Sequence, residues 1–286
     1  MVKEIFSPKP LINVRGELWD LSSPKVMGIA NITPDSFYPG SRVGYDNLIV
    51  YVSKMIDEGV DLVDLGGYSS RPGADDISEQ EEMDRVLPAV EKLIKEFNLV
   101  ISIDTFRSKV ALEAINGGAS MVNDISGGDM DPAMWETVKG LDVPYIMMHM
   151  RGNPKNMHLK TDYKDVTLSV IDDLQKKINA LERLGIKDII VDPGFGFSKS
   201  LDQNYELLNN LDYFKVLERP FLLGVSRKSM IFKELGISPQ DALNGTSVLN
   251  TIGILKGASI LRVHDVKEAK EAVRLTSKLN KKEKTL

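Results

Sequence analysis

The chain contains no cysteine, which removes disulfides, thiolate nucleophiles and Cys-ligated metals while leaving the compartment open, since a secreted protein can lack cysteine too. Cationic charge is not in excess either: 36 Lys and Arg stand against 41 Asp and Glu, a formal net charge of -5 with the three His counted neutral. That balance gives no overall attraction to nucleic acid or to an anionic lipid surface, although a local basic pocket can still hold an anionic small molecule. No apolar run approaches the roughly 18 residues that span a bilayer. The opening MVKEIFSPKP, charged and broken by two prolines, lacks the apolar stretch of about 7 to 15 residues of a signal peptide. A cytoplasmic enzyme acting on small molecules, with no nucleic acid and no membrane as partner, is the expectation.

What is present is material for a large core. Hydrophobic residues make up 42% and charged residues 27% of the 286 positions, the balance of a soluble globular protein. The length admits one domain or two, because α/β barrels run to roughly 250 residues around one core. Short apolar runs with β-branched residues recur eight times, at 26–31, 60–66, 99–104, 121–125, 144–149, 188–192, 220–225 and 259–264. Most are apolar throughout, as strands buried on both faces are.

Helical periodicity separates them. Leu48, Val52, Met55 and Ile56 fall on one helical face and are followed by Gly59, where a left-handed C-cap belongs. Met83, Val86, Leu87, Val90, Leu93, Ile94 and Phe97 repeat the pattern, as do Val170, Ile171, Leu174, Ile178 and Leu181 before Gly185. Val266, Ala269 and Val273 begin the last such segment. Eight consecutive units in one composition regime favour an α/β fold closed into a (β/α)8 TIM barrel over an open doubly wound sheet. Residues 1–25, with two short runs around Gly16, predict an N-terminal hairpin closing the barrel floor. The reading is thus a single domain, with the barrel over 26–280 and a Lys-rich tail at 281–286 that frays.

Catalytic groups of such barrels sit at the C-terminal ends of the strands. Here the runs end in Asn31, in Gly66 and Gly67 before Ser69, Ser70 and Arg71, in Asp104, in Asn123 and Asp124, in His149, in Asp192, in Ser226 to Ser229, and in Arg262 and His264. Any one Asp, Asn or Ser reads equally well as a helix cap. Arg and His are not N-cap residues, and the recurrence at every strand favours a binding floor. Carboxylates and an Asn suit a ligand rich in ring N–H donors, whereas Lys228, Arg71, Arg262 and His264 suit an anion, so the ligand should carry both. Two long Gly- and Pro-rich loops, NITPDSFYPGSRVG and GGYSSRPGADD, read as covers that exclude water.

The strings NITPDSF (31–37), SSRPGA (69–74), SIDTF (102–106), VNDISGG (122–128), MHMRGNP (148–154), DPGFGF (192–197), SRKS (226–229) and RVHDV (262–266) together resemble the dihydropteroate synthases, in the same order and at the same strand ends. The resemblance implies condensation of 6-hydroxymethyl-7,8-dihydropterin diphosphate with 4-aminobenzoate to give 7,8-dihydropteroate and pyrophosphate in folate biosynthesis. It implies a pterin site of Asp104, Asn123, Met148, Asp192, Phe195 and Lys228, with Asp192 accepting from a guanidine-like N–H pair. It implies a diphosphate site of Asn31, Arg71, Arg262 and His264, in which the Asn31 side-chain oxygen holds Mg2+ as the one metal cofactor. 4-Aminobenzoate, with sulfonamides as inhibitors in its place, is implied for Ser70, Arg71, Pro72, Phe197 and Ser229. Asp35, with Ser36 and Phe37, would close over the reacting centre, making Asp35, Arg71, Lys228, Arg262 and His264 the catalytic set. A homodimer is likewise what the resemblance implies.

Three departures stand out: Ser70 where the family often has Thr, SFYPGSR with Tyr38 where SFSDGG is frequent, and Ser198 in place of a frequent Gly, which could redirect its loop. Two rival readings share the barrel. A pterin-dependent corrinoid methyltransferase need not bind diphosphate, and the intact SSRP, SRKS and RVHDV strings argue against it. A catalytically silent pterin-binding paralogue is opposed by retention of Asn31, Arg71, Lys228, Arg262 and His264.

Overall fold

In the computed structural model, which describes residues 11–32, 42–69 and 76–279, each of the eight apolar runs contributes a strand. The chain enters through an antiparallel hairpin of β1 (Leu11–Val14) and β2 (Glu17–Asp20), paired from Leu11 with Asp20 to Val14 with Glu17. Its two-residue turn puts Arg15 at φ 54° and Gly16 at φ 82°, the left-handed pair that matches strand twist. Ile12, Val14 and Leu21 then pack with Met27, Leu62, Met121, Ile146, Ile190, Leu222 and Ile260, one residue from each of seven barrel strands, so the hairpin does close the barrel floor.

The barrel strands are β3 (Lys25–Asn31), β4 (Leu62–Gly66), β5 (Val100–Asp104), β6 (Met121–Asp124), β7 (Tyr145–Met148), β8 (Ile189–Asp192), β9 (Leu222–Leu223) and β10 (Ile260–Val263). All neighbours pair in parallel, in the order β8-β7-β6-β5-β4-β3-β10-β9. A single parallel bridge between Val191 and Phe221 completes the ring. Strand β9 is shorter than the run at 220–225 suggested. Pro220 has no N–H to donate, and at the other end the chain already turns at Val225, whose carbonyl accepts from the Lys228 N–H at 3.1 Å.

Helices α1 (Arg42–Asp57), α2 (Glu79–Glu96), α3 (Ser108–Asn116), α4 (Met134–Leu141), α5 (Val166–Leu184), α6 (Leu201–Asn209), α7 (Ser229–Leu235), α8 (Leu243–Leu255) and α9 (Val266–Leu279) fill the crossovers and the C-terminal segment. Their starts and stops follow local chemistry. Asp165 caps α5 by accepting from the Leu168 N–H at 2.8 Å, and Gly185 ends it at φ 92°. Gly59, past the end of α1, is likewise left-handed at φ 88°. The main core lies between the strands and this helical ring, where Val86, Val90, Val170, Leu174 and Ile178 are buried. Among the described residues no helix is long and apolar enough to cross a membrane. The tail at 281–286 lies outside the described residues.

Candidate active site

Side chains two apart on a strand share a face. Most residues of the apolar floor layer are therefore followed, one step up the barrel interior, by a polar or small one, Met27 and Ile146 being followed instead by Ile29 and Met148. Asp64 follows Leu62, Ser102 and Asp104 follow Val100, Asn123 follows Met121, Asp192 follows Ile190, Gly224 follows Leu222, and Arg262 and His264 follow Ile260. The interior thus changes from apolar to polar toward the C-terminal ends of the strands, the end where barrel enzymes do their chemistry.

A cavity of about 630 Å³ opens there. The structure brings Asn31, Asp104, Asn123, Met148, Asp192, Phe197, Lys228, Ser229, Arg262 and His264 to its lining. Asp35, Ser36, Phe37, Tyr38, Ser70, Arg71 and Pro72 lie outside the described residues. Phe195 requires a correction. Its ring is fully buried in the main core, not in the cavity, and only its carbonyl reaches the site, accepting from Lys228 Nζ at 2.6 Å. Because Asp192 faces the interior, residue 195, three positions on, falls on the opposite face, and its ring joins the core behind the strands. The apolar surface of the cavity comes instead from Met148, Met157, Ile29 and Ile125.

A chain of charge-assisted hydrogen bonds crosses the interior. Arg262 donates from Nε to Asp64 Oδ2 at 2.6 Å and from its terminal NH2 to Asp104 Oδ2 at 2.7 Å. Asn123 Nδ2 also donates to Asp64 Oδ2, at 2.9 Å. Burial pushes Asp104 up to about 7, against the pull of Arg262 and with the help of the neighbouring Asp64. Burial acts to lower the Arg262 guanidinium, but Asp64 and Asp104 outweigh it and hold its pKa above the ordinary value.

Opposite lies a second pair. Burial lowers Lys228 to about 8, with Asp192 limiting the fall, and raises Asp192, with Lys228 limiting the rise. Asp192 Oδ1 accepts from the Gly194 N–H at 2.7 Å, which fixes the carboxylate at the strand end. Gly194 itself cannot be replaced without disruption, because a Cβ there would stand 2.0 Å from the His149 carbonyl oxygen. Ser226 Oγ accepts from the His264 N–H at 3.2 Å and lies 3.0 Å from its Nδ1.

Not every strand-end polar group belongs to the cavity. Asp124 is fully buried and accepts from Ser126, Gly128 and the Tyr145 hydroxyl, which makes it a structural cap. His149 is 1% exposed, with Nδ1 3.1 Å from Lys199 Nζ. Burial and that neighbour lower His149 to about 2, so it stays neutral. Ser198 takes the left-handed conformation a glycine would, at φ 47°, and its Oγ accepts from the Arg151 N–H at 2.8 Å. The loop path is compatible with either residue.

The family profile described as pterin binding enzyme matches residues 27–264. The dihydropteroate synthase of Clostridium beijerinckii is 42% identical over 255 residues, 88% of this chain and 92% of that one. The Yersinia pestis dihydropteroate synthase, solved as a sulfonamide drug complex, superimposes with a TM-score of 0.89 at 39% identity, covering 95% of this chain and 99% of that one. The Xanthomonas albilineans dihydropteroate synthase with 4-aminobenzoic acid gives a TM-score of 0.88 at 35% identity, covering 95% and 98%. The chain belongs to the dihydropteroate synthase family. It is accordingly an enzyme of the transferase class.

For a dihydropteroate synthase of this sequence, the strand-end strings left out a residue that organises the site. Asp64 sits mid-strand in β4, fully buried beneath the cavity, and binds both Asn123 and Arg262. An acid inside an otherwise apolar strand was the available signal, since a buried carboxylate needs partners. Met157 was missed because it lies on a single 3-10 turn, Met157–Leu159, which carries no periodicity.

Proposed function

We propose that the chain condenses 6-hydroxymethyl-7,8-dihydropterin diphosphate with 4-aminobenzoate, forming 7,8-dihydropteroate and pyrophosphate in folate biosynthesis. One observation carries this reading: hydrogen-bond acceptors (Asp104, Asn123, Asp192) and cations (Lys228, Arg262) line the same cavity. An aminopyrimidine edge offers the N–H donors for the first set, and a diphosphate offers the negative charge for the second.

The reaction breaks the C–O bond between the pterin methylene and the diphosphate, and the electron pair leaves with the diphosphate. The aniline nitrogen forms the new C–N bond and loses its proton to solvent or to the leaving group. Asp104, Asp192 and Asn123 hold the pterin and stabilise the positive charge that develops on it, while Arg262 and His264 stabilise the departing anion. Asp35 and Arg71 are proposed to complete the catalytic set. Phe197 and Ser229 are proposed, with Ser70, Arg71 and Pro72, to seat 4-aminobenzoate, and sulfonamides to compete there.

Among the described residues no cluster of three or more His, Cys, Asp or Glu could hold a resident metal. A single side-chain oxygen, that of Asn31, beside a cavity able to take phosphate oxygens fits a hard cation that keeps its waters. Mg2+ held by Asn31 would supply neutralising charge to the diphosphate. A homodimer in the cytoplasm completes the proposal; exposed Val248 and Leu255 on α8 and Leu275 and Leu279 on α9 offer an apolar face for a second copy, which sedimentation would test. The deciding experiment is pyrophosphate release with both substrates, with and without Mg2+. Release that needs both substrates and the metal is expected, and no release under any condition would overturn the activity.

A further inference from the structure

The partners of the Asn123 amide set which of its two ends meets the ligand. Asp64 is 0% exposed and does not line the cavity, so it touches no substrate. Its Oδ2 receives both Asn123 Nδ2, at 2.9 Å, and Arg262 Nε, at 2.6 Å. A carboxylate paired with a guanidinium has only lone pairs to offer. The amide must therefore turn its NH2 down to Asp64, which leaves its carbonyl oxygen for the cavity that Asn123 lines. With an apolar or donating group at position 64, the amide would be equally able to turn the other way and present N–H groups to the ligand.

We infer that Asp64 is a specificity-determining positioning residue: by holding the NH2 end of Asn123 and the Nε of Arg262, it makes the pterin floor an unbroken set of acceptors. Asp104, the Asn123 carbonyl and Asp192 then face a ligand edge made of N–H donors. The same anchor fixes the guanidinium plane, since Arg262 reaches Asp104 with NH2 at 2.7 Å while Nε is held by Asp64. This inference rests on the pterin diphosphate reading above, and it predicts that exchanging the two residue types restores the Asn123 side of the arrangement but not the Arg262 side.

The test compares N123D, D64N and the double variant D64N/N123D, reading pterin diphosphate affinity by calorimetry, KM for 4-aminobenzoate by turnover, and thermal stability. N123D sets two carboxylates against each other and is expected to weaken pterin diphosphate by about 30-fold. In the double variant the amide nitrogen introduced at position 64 takes the place of the shared oxygen and donates to the carboxylate introduced at 123, while Arg262 gives up that bond and keeps the one to Asp104, so part of the affinity, about 3-fold, is expected to return. KM for 4-aminobenzoate should stay within about 2-fold throughout, a pattern general destabilisation would not give. A folded double variant binding no better than N123D overturns the inference, as does wild-type affinity in N123D alone. If the double variant does not fold, D64N decides: an affinity loss of about 10-fold confined to the pterin substrate supports the role, and an unchanged or equal effect on both substrates overturns it. Failure of the wild-type protein to bind pterin diphosphate would be a different result, removing the activity reading itself.

Discussion

Replacing Arg262 with Met removes the cation that bridges Asp64 and Asp104 while keeping most of the side-chain volume. Two charge-assisted hydrogen bonds are lost, at 2.6 and 2.7 Å, from a side chain 19% exposed, and they leave behind a carboxylate that is fully buried and one that is 18% exposed. Removing one partner of a buried ion pair costs about 3 to 5 kcal/mol. The lower end applies, because Asp104 can escape by taking up a proton. At about 2 °C per kcal/mol for a chain of this size, the melting temperature should fall by about 6 °C at pH 8. The sign of the pH dependence follows from Asp104, which burial already raises to about 7 and which Arg262 holds down. Without the arginine its pKa rises further, so the folded variant binds more proton than the folded wild type above pH 7, and its deficit grows as pH rises and shrinks toward pH 6. Scanning calorimetry from pH 6 to 8 reads this directly, and kcat/KM should drop by at least about 10²-fold. A stability deficit that is the same at every pH, or turnover like the wild type, would refute the placement of Arg262 between the two acids.

Other consequences are as concrete. A pterin without phosphate should bind the free enzyme more weakly as pH falls below about 7, approaching about 10-fold per unit, because its N–H donors need Asp104 ionised; titration in two buffers of different ionisation enthalpy should detect the proton released, and affinity constant from pH 6 to 8 would contradict it. Gly194→Ala should lower stability by at least about 2 kcal/mol and cut activity, given a Cβ position 2.0 Å from a backbone oxygen at φ 73°, and a wild-type melting temperature would show the loop to be tolerant. Ser198→Gly should be nearly neutral, within about 1 kcal/mol, since relief of a left-handed conformation offsets the lost hydrogen bond to the Arg151 N–H; denaturant midpoints measure the difference.

The barrel was legible because each of its units is written locally. Short apolar runs alternate with helical stripes, and Gly16, Gly59 and Gly185 punctuate them at left-handed turns the structure contains. Most of the cavity lining was legible for a related reason, since a polar residue ending an apolar strand leaves few roles beyond cap and site. Which role applies is not local. Asn123 lines the cavity and the next residue, Asp124, is a cap, because successive side chains on a strand face opposite sides and the interior face must be known first. Phe195 went to the wrong side for the same reason: once Asp192 is known to face inward, residue 195, three positions on, turns outward into the main core.

The short segment before Gly66 shows where local information stops. Asp61 and Asp64 stand three residues apart in one apolar stretch, and nothing in their spacing ranks them. In the structure Asp61 sits at the strand entrance, accepting from the Val26 N–H at 2.7 Å and from Lys270 at 2.9 Å, where it only fastens the barrel bottom. Asp64 faces inward and meets Asn123 and Arg262, residues 59 and 198 positions away. The sequence by itself determined the repeating units, their order and the kind of chemistry at the strand ends, because those depend on neighbours within a few residues. Only the tertiary structure decided which face of each strand looks inward and which distant side chains share a carboxylate, because closing the barrel brings together residues that no local pattern relates.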